Sequence, residues 1–204
     1  MAMNVIGQIG WTVAYPGLFY VMVVFTSQAF VFIFLPFILY SLYRFVVQFT
    51  YFSWAFRMRR VLQTYPWQLL KSVPSGLGKY PDARDDGMWF EFRNPDNHEE
   101  KIPLVFIKHQ RSYWWLKRLD GPRTKPHRRT QIEPLWFAGD PRFLAVVAAS
   151  DRGGEAPKRL HMLYQRAAFD RRCTPEAWGA TSVDIEQARR AGAQQLGSTS
   201  QPRP

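Results

Sequence analysis

The side chains able to do chemistry in this sequence are few, and their spacing limits what they can do. His98, His109, His127 and His161 show neither HxH nor HExxH spacing, and no CxxC pair accompanies them, so no metal site is expected. Cys173 is the only cysteine. Arg171 and Arg172 beside it are surroundings that favour a thiolate, but an ordinary exposed thiol accounts for it. One thiol makes no intrachain disulfide and gives no sign of an oxidising compartment. Asp85-Asp86 and Glu99-Glu100 fall in turn-rich stretches, where solvated loop charges explain them without acid–base work. "SGLGK" at Ser75–Lys79 has glycines and a lysine but not the Walker spacing. No nucleophile–base pair is visible. No catalytic residue, metal or cofactor is assigned, and an enzyme is not expected.

The basic residues carry more information. From Lys101 to Arg129 there are nine Lys or Arg against the single acid Asp120, with Tyr113-Trp114-Trp115 in their midst. Cations interleaved with aromatics suit anionic headgroups, where Trp sits at the interface, or nucleic acid. The plainer alternative is a solvated loop beside a core strand. The candidate anionic-surface residues are Lys108, Arg111, Trp114, Trp115, Lys117 and Arg118, together with Arg44, Arg57, Arg59 and Arg60 further upstream.

What positions these residues is a chain of two compositions. All 43 acidic and basic residues lie from Arg44 onward, although the net charge is +11. A soluble surface rarely runs so long without charge. As a helix the charge-free stretch would be about 65 Å long, roughly twice the hydrocarbon core of a bilayer. The favoured arrangement is one span over about 18–40, opened by Pro16 and Gly17, with Trp11 and Tyr15 at one interface and Tyr40, Tyr43 and Arg44 at the other. The alternative is a hairpin over about 5–25 and 29–49, turning at Thr26-Ser27-Gln28. Pro36 falls inside a helix on either reading. Basic residues follow this segment and none precede it, so the positive-inside rule places the remainder in the cytoplasm.

Residues 1–56 thus read as the membrane segment and 57–78 as a juxtamembrane helix and linker, with Pro66 stopping the helix near Thr64. From Gly87 the period becomes strand-like. "GMWFEFR", "IPLVFIKH", "YWWLKRL", "EPLWFAG", "FLAVVAAS" and "RLHMLYQ" read as six short strands, separated by Gly, Pro and charged loops. They make a β-rich domain over 79–178. Residues 179–204 read as a helix, with Ser182 as N-cap and Asp184 and Glu186 in its first turn, followed by a disordered tail. The composition change near Gly78 predicts an independent core over 79–197.

"RMRRVLQTYPWQ" after the apolar segment and "WFAGDPRF" before an apolar strand resemble motifs of small uncharacterised integral membrane proteins of actinobacteria. The resemblance covers roughly residues 57–150; the aromatic-rich N-terminal segment and "YWWLKRL" lie outside the pattern. It implies an integral membrane protein and no particular activity. On the residues themselves, Tyr65-Pro66-Trp67 sets a turn and Asp140-Pro141 starts a tight one.

The expected fold class is therefore an α+β membrane protein. It has one or two N-terminal transmembrane helices, a small antiparallel β sandwich or barrel of pleckstrin-homology-like outline, and a C-terminal helix. The expected function is a membrane-anchored cytoplasmic binding or scaffold module, engaging inner-leaflet anionic lipid or a membrane or cytoplasmic protein. The alternative is a membrane-linked nucleic-acid handling accessory, for example in actinobacterial DNA transfer.

Overall fold

The computed structural model describes residues 2–25, 31–80, 87–107, 112–119, 124–150, 155–165 and 178–193. Two compact units emerge, Met1–Arg57 and Met58–Pro204.

The first unit holds helix α1, Ala2–Phe25, and most of helix α2, Val31–Thr64. The α2 stretch Ile33–Thr64 is long and apolar enough to cross a membrane; the apolar part of α1, Ile9–Val24, is shorter. The Trp11 ring meets the Tyr40 ring edge-on at 5.7 Å, and Arg44 Cζ lies 5.6 Å from the Trp11 ring. In one straight helix Trp11 and Tyr40 would stand about 43 Å apart at 1.5 Å per residue. That contact sets the two helices side by side rather than as one straight helix over 18–40. Pro16, expected to open a helix, lies inside α1, and Pro36 lies inside α2. The turn read at Thr26-Ser27-Gln28 lies outside the described residues.

The second unit is built on a seven-stranded antiparallel sheet. Its strands are β1 (Gln68–Leu70), β2 (Ser75–Leu77), β3 (Met88–Arg93), β4 (Lys101–Phe106), β5 (Leu135–Asp140), β6 (Leu144–Ser150) and β7 (Pro157–Tyr164). The order across the sheet is β1-β5-β6-β7-β4-β3-β2, so two meanders, β2–β3–β4 and β5–β6–β7, join where β4 pairs β7. β1 and β2 form opposite edges although only Lys71–Pro74 separates them. Five residue steps reach at most about 18 Å, whereas the edges of a flat seven-stranded sheet lie about 29 Å apart. The sheet must curl, and it forms a half-barrel.

Two expectations change here. The linker assigned to 57–78 carries β1 and β2, which pair with Leu135–Phe137 and with Met88–Phe90. Three residues, Gln-Leu-Leu in β1 and Ser-Gly-Leu in β2, are too few to show a strand-like pattern; only their partners make them strands. "YWWLKRL" is no strand. Ser112–Leu116 forms helix α3, because Ser112, Trp115 and Leu119 recur at helical spacing and all three are buried. Burial outweighs the β preference of the aromatics. Helix α4, Pro126–Arg129, and a 3-10 turn at Thr130–Ile132 follow. Trp115, Leu119 and Ile132 enter the same core as Phe90, Phe106 and Phe137. "FLAVVAAS" reads as continuously apolar, and the β6 residues Leu144–Ala149 are buried on both faces.

Helix α5, Ser182–Arg190, starts one residue earlier in its cap than expected. Thr181 is the N-cap, and it forms a capping box with Asp184. The tail from residue 194 lies outside the described residues.

Candidate anionic-ligand site

The site is assembled on α3 and on a defect in β7. Between Val147 and Ala149 the β6–β7 register slips: Val147 faces His161 but Ala149 faces Lys158. β7 therefore carries one extra residue, and Arg159 within this bulge has φ +59°. Bulges of this kind redirect a side chain. Here the Arg159 guanidinium lies 5.5 Å from the Trp114 ring. The Arg159 carbonyl accepts a 3.2 Å hydrogen bond from Trp115 Nε1, which ties the bulge to the core.

Arg118, one helical turn beyond Trp114, packs its Cζ 4.0 Å from the same ring. It donates from Nη1 to the Trp114 carbonyl at 2.9 Å and from Nε to Gln131 Oε1 at 2.9 Å. Burial, then the charges of Arg128 and Arg159, hold its pKa below the usual arginine range. Among the described residues, no carboxylate pairs with Arg118, Arg128 or Arg159; the nearby ion pair is Arg129 with Glu133 at 3.7 Å. Lys117 Nζ sits 4.2 Å from the ring of Tyr113, which is exposed. Two guanidinium groups on one half-buried tryptophan ring, with no carboxylate paired to them among the described residues, can stack on and neutralise an anionic group.

The expected residues divide. Trp114 and Arg118 come together, whereas Lys117 packs on Tyr113 instead. Trp115, expected at the surface, is about 1% exposed and supports the site from the core. Lys108 and Arg111 lie outside the described residues. In the first unit Arg44 lies against Trp11, and Arg57 Cζ is 4.9 Å from the Trp54 ring. Arg59 and Arg60 are exposed on the last turns of α2. Spacing alone singles out neither Arg128 nor Arg159: Arg128 is one cation among nine in the basic stretch, and nothing in "KRLHM" announces a left-handed arginine.

Two further polar groupings occupy the sheet. Arg142 is buried and bonds Asp140 through Nε (3.0 Å to Oδ1) and Nη2 (2.7 Å to Oδ2), reaches Asp184 Oδ2 at 3.2 Å, and pairs with Asp96. Tyr65 lies in the field of the same acids; burial, then Asp140 and Asp184, push its phenol well above the usual range. This knot fastens the β3–β4 loop, the β5–β6 turn and the start of α5, so the "AGDPRF" turn is a structural junction. On the other flank, Glu91 is buried and receives hydrogen bonds from Lys79 and Tyr80. Among the described residues, no three His, Cys, Asp or Glu side chains gather as a metal site.

No protein-family model matches the chain, and neither a curated protein nor a solved structure matches it.

Proposed function

We propose that this chain is a membrane-anchored binding module whose second unit faces the cytoplasm and holds the anionic groups of inner-leaflet lipid at Trp114. The observation that carries the reading is the convergence of Arg118 and Arg159 on one half-buried tryptophan, with Arg128 close enough to Arg118 to act on its charge. Supporting it, the first 43 residues carry no charge and Arg44, Arg57, Arg59 and Arg60 follow, the pattern of a segment whose basic end stays inside. With α1 and α2 as a two-span hairpin, both chain ends lie on the cytoplasmic side. A curled antiparallel sheet followed by one helix has a pleckstrin-homology-like outline; that likeness supports an architecture and carries no function of its own. The motifs "RMRRVLQTYPWQ" and "WFAGDPRF" support placing the chain beside the small integral membrane proteins of actinobacteria.

The test uses the full chain in nanodiscs of phosphatidylcholine, with and without phosphatidylglycerol. Amides of Ser112–Leu119 should gain hydrogen-exchange protection in the anionic discs, and raised salt should remove it. Trp114 emission, isolated by subtraction of a Trp114→Phe variant, should shift to the blue. Each cation near the surface contributes about 1 kcal/mol, so Arg118→Gln with Arg159→Gln should weaken the response about tenfold or more. Identical exchange in the two discs overturns the lipid reading. Binding of single-stranded DNA in the neutral discs, with a steep salt slope, would instead identify a nucleic-acid handler. A reporter fused to either terminus should be cytoplasmic.

A further inference from the structure

The half-barrel is open along one seam, and the seam has the form of a strand-binding cleft. β1 covers only Leu135–Phe137 of β5, and β2 covers only Met88–Phe90 of β3. The free edge of β1 and the outer edge of β3 beyond Phe90 line a single cleft of about 910 Å³. The Glu91 amide turns outward to the Pro74 carbonyl at 2.8 Å, while the Asn94 amide turns inward to Glu100. Backbone groups alternate along an antiparallel strand, so Arg93 faces its N–H and C=O outward, into the seam.

The side chains say what would fill it. Leu70, Val73, Phe92 and Phe137 supply apolar wall. Lys71, Arg93 and Lys101 are exposed at the cleft and none is in salt-bridge contact with a carboxylate among the described residues, although the Lys101 charge acts on Glu91. Arg93 stands directly opposite Lys101 in the β3–β4 register. Pro103, opposite Glu91, has no N–H, and the alternation makes Arg93 and Lys101 a non-hydrogen-bonded pair, the kind whose side chains stand closest. Like charges placed so are destabilising, and an anion between them removes the penalty. The acids of the cleft are already engaged, Glu91 by Lys79 and Asp140 by Arg142.

We propose that this seam binds an extended acidic segment of a partner protein, which adds a strand against the open edges and places its carboxylates on Arg93, Lys101 and Lys71. Main-chain hydrogen bonds supply affinity in such strand addition, and alternate side chains supply specificity. The three cations also repel a second copy of this chain, which carries +11 overall. Charge on an exposed edge normally deters pairing; here it deters basic strands and leaves acidic ones as the complement. The cleft is separate from the Trp114 site.

The probe is a fluorescein-labelled octapeptide of alternating Glu and Val, titrated by anisotropy against the full chain in phosphatidylcholine nanodiscs. An alternating Lys and Val octapeptide is the control. The acidic peptide should bind, the basic one should not, and Arg93→Gln with Lys101→Gln should weaken binding at least tenfold. Amides of Gln68–Leu70 and of Arg93 should gain hydrogen-exchange protection on binding. The double variant removes a like-charge pair along with the attraction of Lys101 for Glu91, so it should melt close to the parent, and lost binding cannot then be ascribed to unfolding. Equal binding of both peptides, binding indifferent to the double substitution, or binding without protection at the two edges overturns the proposal. Displacement of the peptide by dodecanoate, with no edge protection in either state, would likewise overturn it and make the cleft a site for a single-chain anion.

Discussion

Arg142 and Asp140 meet in the interior of the second unit, Nη2 to Oδ2 at 2.7 Å and Nε to Oδ1 at 3.0 Å, with Arg142 only 4% exposed. Two residues apart in sequence, they turn a hairpin into an anchor. Asp140 Oδ1 also accepts the Arg142 amide at 2.9 Å, closing the turn, and the free side of the guanidinium collects Asp96 and Asp184 from distant segments. Removing a partner from a buried pair leaves an uncompensated charge, at about 3–5 kcal/mol. Arg142→Ala should therefore lower the melting temperature of the detergent-solubilised chain sharply. Arg142→Lys should not restore it, because an ammonium cannot reproduce the two-pronged geometry. Parent-like melting of either variant would contradict this role.

Acid should loosen the same unit. Burial raises the Asp184 carboxyl, but hydrogen bonds from Thr181 and the Arg142 charge outweigh it and hold the pKa below the usual aspartate range. Burial acts the same way on Glu91 and is outweighed by Lys79 and Tyr80. A carboxyl depressed in the folded state contributes stability that is present above its unfolded pKa and lost as pH falls through the folded value. Stability should hold from neutrality to about pH 4, the ordinary carboxylate range, and decline below it. Asp184→Asn should flatten that decline in thermal melts taken across the acid range; an unchanged slope would remove Asp184 from the account.

Gly139 should tolerate no side chain. Its φ is +145°, and a Cβ there would stand 2.4 Å from the Leu144 carbonyl oxygen and 2.5 Å from Ala145 Cα. Both obstacles are backbone of the paired strand and cannot step aside. Gly139→Ala should cost about 1–3 kcal/mol from the conformation alone, and more from the clash. Chemical denaturation of parent and variant measures it.

Fragment boundaries offer a further check. Residues 79–197 omit β1, β2 and Val73, a member of the core. The fragment 58–204 should be soluble, with a mixed α and β circular-dichroism spectrum and a cooperative melt. The fragment 79–197 should melt lower or not cooperatively. Equal melting of the two would mean that the edge strands contribute nothing.

Much of this architecture is written in local pattern. The absence of charge before Arg44 marks the apolar helices, since a helix surface needs solvated side chains in water and none in hydrocarbon. "GMWFEFR", "FLAVVAAS" and the turn residues between runs mark β3 to β7 because strand burial leaves a trace at every second position, or at every position when both faces are covered. "AGDPRF" marks a turn through Asp and Pro. Beyond that, distance along the chain hides what distance in space decides. β1 and β2 are strands only because β5 and β3 offer them edges. "YWWLKRL" is helical because the core accepts Trp115 and Leu119 from one side. Asp96, Arg142 and Asp184 have no spacing that announces their meeting, and Arg159 reaches Trp114 only through a bulge in β7. Local sequence determines which elements form, because propensity and periodicity act over a few residues; closure of the curled sheet decides which charges converge, because that depends on contacts 40 or more residues apart, such as Arg142 with Asp96 at a separation of 46 and Trp115 with Arg159 at 44.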